Sequence, residues 1–228
     1  TTLVVLASAS SAYYYMYLGI PPLPPPRAPG SATAVGIDIG GVIISMVGKE
    51  LRKSSVEDTS MMEAFLDTPP VPGSFDGVRR CVEAHGAANV YIVSYAGRVM
   101  EQKSRQWLEH HYFFRKTGML PRNVVVCRLT GQKAPICESL GITHFIDDHQ
   151  RILQPMIPLQ QSGVMERLVL LNSHREKVRF PKAVTEVHTW QEALTHLLQP
   201  PRTAVGGAGA PGDEKTAQGD LNKNKKNA

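Results

Sequence analysis

Between residues 34 and 199 the chain alternates short apolar runs with amphipathic segments. The first run is Ala34-Val35-Gly36-Ile37-Asp38-Ile39-Gly40-Gly41-Val42-Ile43-Ile44. It opens as a buried strand, reaches a carboxylate, and then meets two glycines that let the backbone turn sharply. Asn89–Ser94, Asn123–Cys127, Thr143–Ile146 and Arg167–Leu171 read as further buried strands, and Val184–His188 as a sixth. Helical spacing fills the intervals. A short piece covers Met61–Leu66, and a turn cluster at Pro69–Gly73 leads to Ser74, placed as the cap of the next helix. That helix carries Phe75, Val78, Cys81 and Val82 on one face. Arg98–Phe114 reads as one helix with a Trp107, Leu108, His111 face. Ala134–Leu140 ends at Gly141, a C′ glycine, and Trp190–Leu198 closes the domain. Strand–helix alternation predicts an α/β domain: a doubly wound, mostly parallel sheet with helices on both faces.

The flanks differ from this core. Residues 1–33 form a leader, 34–199 the domain and 200–228 a tail. Leu3 to Ile20 carries no charge and is read either as a membrane anchor, as a targeting leader or as disordered chain. Pro21 to Gly30 is a polyproline-like spacer. The polar tail cannot bury a core and is expected to be disordered. Net charge is +5 over 228 residues, but Lys215, Lys223, Lys225 and Lys226 lie in the tail. The surplus is therefore no sign that the domain binds nucleic acid. Cys81, Cys127 and Cys137 show no zinc spacing and nothing that calls for an oxidising compartment, so a cytoplasmic or organellar location is expected.

The chemistry gathers at the strand ends. In a parallel sheet the C-terminal ends of strands lie along one edge, where open α/β sheets bind ligands. The first strand brings Asp38, the second Ser94 and the fourth Asp147 and Asp148, and Lys133 opens the helix before the fourth. Like charges so close repel unless a cation is present, and Mg²⁺ suits a few carboxylates together with a substrate phosphate. Asp38 is then placed to attack phosphorus, Ser94 to bond a phosphoryl oxygen, and Lys133 to neutralise charge. Asp147, backed by Asp148, is placed to hold the metal. Each group also has an ordinary reading as a cap or a solvated charge. Arg98 is a further candidate contact to an anionic substrate. His149 could reach the site, whereas Trp107, His110 and His111 read as one helix face.

This order of motifs resembles the haloacid dehalogenase-like (HAD) superfamily of hydrolases. Ile37-Asp38-Ile39-Gly40-Gly41-Val42 resembles its first motif, and Val90-Tyr91-Ile92-Val93-Ser94 its second. Lys133-Ala134-Pro135 resembles the third, and His144-Phe145-Ile146-Asp147-Asp148 the fourth. The resemblance implies catalysis by Asp38, Ser94 and Lys133, with Gly41, Ser94 and Arg98 on the substrate. It implies Mg²⁺ held by Asp38, the Gly40 carbonyl, Asp147 and Asp148.

One position departs from the family pattern: its second motif-one Asp, the general acid/base, falls at Gly40. Losing a positioned acid/base costs about 10²–10⁴-fold in rate. Three outcomes stay open: substrates with good leaving groups, such as aryl, anomeric or acyl phosphates; a substitute acid such as His149; or phosphate binding with little turnover. The intervals where the family inserts cap domains are short here, so an open site for a bulky phosphorylated substrate is expected. The leading expectation is a Mg²⁺-dependent phosphatase acting through an aspartyl-phosphate at Asp38. Its rivals are a catalytically impaired phosphate-binding or scaffold protein, and a doubly wound domain with another ligand.

Overall fold

The computed structural model describes residues 33–45, 48, 52–175 and 182–200. The expectations for the leader fall outside these residues, as do those for the tail beyond Pro200. No helix among the described residues is long and apolar enough to cross a membrane.

Six strands form one sheet: β1 (Val35–Ile37), β2 (Val90–Tyr95), β3 (Val124–Cys127), β4 (His144–Asp147), β5 (Arg167–Leu171) and β6 (Val184–Val187). Their order is β3-β2-β1-β4-β5-β6. Every pairing is parallel, with Ile37 opposite both Ile92 and Ile146. This is the Rossmann-type doubly wound order, and the winding reverses between β1 and β4. Parallel neighbours need crossovers, and helices lie in each connection from β1 through to β5.

The helices are α1 (Thr59–Leu66), α2 (Ser74–His85), α3 (Arg98–His110), α4 (Phe113–Thr117), α5 (Lys133–Ser139), α6 (Gln150–Leu153), α7 (Ile157–Gln161) and α8 (Trp190–Leu197). Alternate strand residues point to opposite faces. Val90, Ile92, Val124 and Val126 meet Val78, Trp107, Phe113 and Trp190 on one face. Tyr91, Val93, Val125 and Cys127 meet Ala134, Ile136, Cys137 and Leu153 on the other. The sheet is thus covered on both sides. Each fully buried side chain such as Ile37, Ile92 or Phe113 contributes about 1.5–3 kcal/mol of transfer free energy.

Three local expectations are corrected. Ser74 does not cap α2; Gly73, at φ 80°, stands at the cap, and the Ser74 hydroxyl donates to Ile43 O at 3.3 Å. Arg98–Phe114 is not one helix. It breaks at Tyr112, a left-handed residue at φ 55°. In an unbroken helix Phe113 would leave the Trp107 face; the break turns it into the core, edge-on to Phe75 at 5.1 Å. The segment after Asp148, given no helix from sequence, forms α6 and α7.

The first apolar run is a strand only over Val35–Ile37. Ile39 to Ile44 folds back on itself, with Ile43 N and Ile44 N both donating to Ile39 O at 2.8 and 3.0 Å. Trp190 Nε1 donates to Val42 O at 2.8 Å and fastens this loop to α8. The loop beyond Asp38 is therefore held from below by two different helices.

Candidate functional site

Asp38 follows β1 and Asp147 ends β4, the two strands that flank the reversal of winding. Lys133 is the first residue of α5, on the sheet face where α5 packs. Its Nζ donates to Asp38 Oδ1 and to Asp147 Oδ2, both at 2.7 Å. All three side chains are almost fully buried. Asp148 completes the group: carboxylate oxygens of Asp38, Asp147 and Asp148 all lie within 4.8 Å of one another.

The charges do not balance, with one ammonium among three carboxyl groups. Burial opposes the Lys133 charge, but Asp38 and Asp147 outweigh it and hold its pKa above the ordinary value. Burial first, then the Asp38 charge, pushes Asp147 up to about 8 against the pull of Lys133. A surplus of buried carboxylate oxygen beside an open cleft fits a hard divalent cation, whose preferred donors are oxygens. Asp147 is further fixed because its Oδ1 accepts from His149 N at 2.9 Å.

The adjacent glycines have different roles. Gly41 is left-handed at φ 71°, and a Cβ there would strike the Asp148 carboxylate. Glycine at 41 lets Asp148 close over the loop. At Gly40 a Cβ would meet nothing within 4 Å, and the residue is exposed. A side chain at position 40 would therefore have room.

Two clefts meet at Asp38. One, of about 490 Å³, holds Lys133, Asp147, Asp148, His149, Arg151 and Thr130. The other, of about 360 Å³, runs from Ser94 over Ile39, Ile44, Phe65, Ala96 and Met100. Gly40, Arg52 and Tyr95 line both. The structure therefore brings Asp38, Gly40, Gly41, Ser94, Lys133, Asp147 and Asp148 to one edge. Arg98 is exposed at the start of α3 and lines neither cleft. His149 caps α6, its Nδ1 accepting from Arg151 N at 3.2 Å, and lines the larger cleft. Trp107 and His111 are packing residues: their rings lie 4.1 Å apart and His111 Nε2 bonds Leu66 O at 2.7 Å.

Arg52 and Tyr95 were missed in the sequence. Tyr95 directly follows Ser94 on β2, and the position after a strand-end hydroxyl was the available signal. Arg52 carried no signal, since it lies in a polar interval without periodicity. The cysteines are all buried, and burial pushes Cys127 up to about 11 and Cys81 to about 12. They stay protonated at neutral pH.

No protein-family model matches the chain, and no curated protein matches it. It is similar to solved structures of HAD type. One is a dehalogenase with an intermediate complex, at 13% identity and TM-score 0.49, spanning 73% of this chain and 97% of that one. Another is the HAD domain of the effector protein Lem4 from Legionella pneumophila, at 14% identity and TM-score 0.42, spanning 73% and 93%. A third is a candidate haloacid dehalogenase-like hydrolase from Burkholderia xenovorans, at 13% identity and TM-score 0.48, spanning 74% and 99%.

Proposed function

We propose that the chain is a Mg²⁺-dependent, minimally capped HAD-like phosphatase that works through an aspartyl-phosphate at Asp38. One observation carries this reading: Lys133 joins Asp38 to Asp147 at 2.7 Å within a three-carboxylate group at the winding reversal. A chain that used these residues only as caps would not bury them around one ammonium, because unpaired buried charge is costly.

Asp38, Asp147, Asp148 and the Gly40 carbonyl would hold the cation. When bound, it supplies positive charge against the phosphoryl oxygens. The chain's own groups do the rest. Lys133 holds Asp38 aimed through its 2.7 Å contact, and adds charge that opposes the build-up on the equatorial oxygens. An Asp38 oxygen attacks phosphorus as the ester P–O bond breaks, and the leaving oxygen departs with its electron pair. Water then attacks the acyl-phosphate phosphorus; the P–O bond to Asp38 breaks, the carboxylate returns, and the water's proton passes to solvent. Ser94 borders the smaller cleft beside Asp38, and on this reading its hydroxyl would donate to a phosphoryl oxygen held at Asp38. The described chain between β1 and α2 adds only α1 and the segment bearing Arg52, which fits an open site for a bulky phosphorylated substrate.

The test is phosphate release from 4-nitrophenyl phosphate by the full chain, with Mg²⁺ or with EDTA, beside Asp38→Asn. Metal-dependent release that disappears in Asp38→Asn supports the reading. Release equal in both proteins sinks it and leaves a phosphate-binding module.

A further inference from the structure

The two clefts that meet at Asp38 differ in chemistry, and the difference bears on substrate. The larger is lined by Lys133, Asp147, Asp148, His149 and Arg151, a surface for phosphate and cation. The smaller has an apolar floor of Ile39, Ile44, Phe65 and Met100, with the half-exposed Tyr95 at its mouth. At about 360 Å³ it falls in the size range of small-molecule sites. A third cleft of about 360 Å³, beyond Gly41, ends on Asn172, Ser173 and His174 and has no comparable aromatic or methionine floor.

A second observation points the same way. Apart from Asp38, no described residue lining the smaller cleft is a carboxylic acid or an imidazole. Gly40, beside it, has open space where such an acid would stand. A leaving oxygen on this side meets no described carboxylic acid or imidazole other than Asp38 itself, which favours an acidic alcohol. Arg52, which borders both clefts, offers a permanent positive charge for that anion.

We infer that the smaller cleft receives the ring of an aryl phosphomonoester, with the phosphoryl group in the larger cleft. This rests on the phosphatase reading above. A phenol is apolar enough for the Ile39–Met100 floor and leaves without a proton. Tyr95 offers an aromatic face at the entrance. A free aryl phosphate and a phosphotyrosyl side chain share this chemistry.

The test separates the ring from the reaction. Calorimetry on the full chain with Mg²⁺ compares benzylphosphonate with methylphosphonate, neither of which is hydrolysed. Hydrolysis is followed in parallel on phenyl phosphate, a phosphotyrosyl peptide, hexyl phosphate and acetyl phosphate. Met100→Glu and Tyr95→Ala are carried through both arms. The expected result is benzylphosphonate bound about tenfold or more tighter than methylphosphonate, with that advantage lost in Met100→Glu and reduced in Tyr95→Ala. Acetyl phosphate turnover by the unsubstituted chain, which needs no ring site, tests the phosphatase reading by itself, and a cooperative thermal melt shows that Met100→Glu is folded. Faster hydrolysis of the peptide than of phenyl phosphate would assign the ring to a phosphotyrosyl side chain; the reverse order assigns a free aryl phosphate, and either supports the inference. Equal binding of the two phosphonates overturns the inference, as does equal turnover of hexyl and phenyl phosphate, while the phosphatase reading survives. Selective benzylphosphonate binding without hydrolysis of any substrate supports the ring site and overturns the phosphatase reading.

Discussion

His144 begins β4, at the opposite end of the strand from Asp147, and it should make folding stability fall in mild acid. Its side chain is fully buried. Nδ1 shares a hydrogen bond with Thr143 Oγ1 at 2.9 Å, and Nε2 meets no partner among the described residues. Burial first, then the charges of Arg167 and His85, lower its pKa from 6.5 to about 3. The unfolded chain therefore takes up this proton near pH 6.5, and the folded chain only near pH 3. The stabilisation is complete above pH 6.5 and drains away as pH falls from 6.5 towards 3. Near pH 5 the unfolded histidine is protonated by about 1.5 pH units and the folded one is not, which costs about 2 kcal/mol. Asp147 acts in the opposite sense. Its folded pKa of about 8 against 3.8 lets the folded state bind that proton first, so it adds stability as pH falls through 8 towards 3.8. A comparison with His144→Leu cancels the Asp147 contribution. Urea unfolding of both proteins in EDTA, near pH 7.5, 6 and 5, supplies the double difference. Wild type should lose about 2 kcal/mol more than His144→Leu between pH 7.5 and 5. Parallel pH curves would refute the reasoning, because they would mean that His144 is protonated equally in both states.

The other expectations are more local. Gly40→Asp should leave the melting temperature within a degree or two, since the new Cβ meets nothing within 4 Å. The same variant should raise turnover of alkyl phosphates by about 10²-fold or more, measured as phosphate release; no gain would place the missing acid elsewhere. Gly41→Ala, forced to φ 71° against Asp148, should lose about 1–3 kcal/mol in urea and weaken Mg²⁺ binding by calorimetry. Gly77→Ala would drive a methyl group into the Trp190 ring and should cost about 1–3 kcal/mol without changing KM. Lys133→Met leaves Asp38 and Asp147 facing each other without a cation and should cost about 3–5 kcal/mol, part of it recovered by excess Mg²⁺ in a thermal melt.

Much of this fold was legible because the strands are buried on both faces and so appear as unbroken apolar runs. Val124–Cys127 and Arg167–Leu171 could hardly be read otherwise. The site was legible for a related reason: side chains placed at strand ends keep their position relative to the sheet, so Asp38 and Asp147 could be paired from topology alone. Residues positioned by the loops were not legible. Tyr112 takes a left-handed conformation that its type disfavours, and only the gain of burying Phe113 explains it. α6 and α7 are too short to show a helical period, at 4 and 5 residues. Arg52 reaches both clefts from an interval whose composition predicts only a polar connection.

Gly40 and Gly41 show what sequence alone could not separate. Side by side, both read as glycines that let the chain turn after Asp38. Only Gly41 has that duty, because its backbone is left-handed and Asp148 occupies the place of a side chain. Gly40 has an ordinary backbone and empty space, so nothing in the fold requires it to lack a carboxylate. The fold would accept a carboxylate at position 40, close to the buried charges of Asp38, Lys133 and Asp147. On the phosphatase reading proposed above, a nucleophilic Asp38 with no acid at position 40 is suited to leaving groups that need no proton. That asymmetry, beside a cleft with an apolar floor, makes leaving-group acidity the variable on which turnover by this chain should depend most steeply.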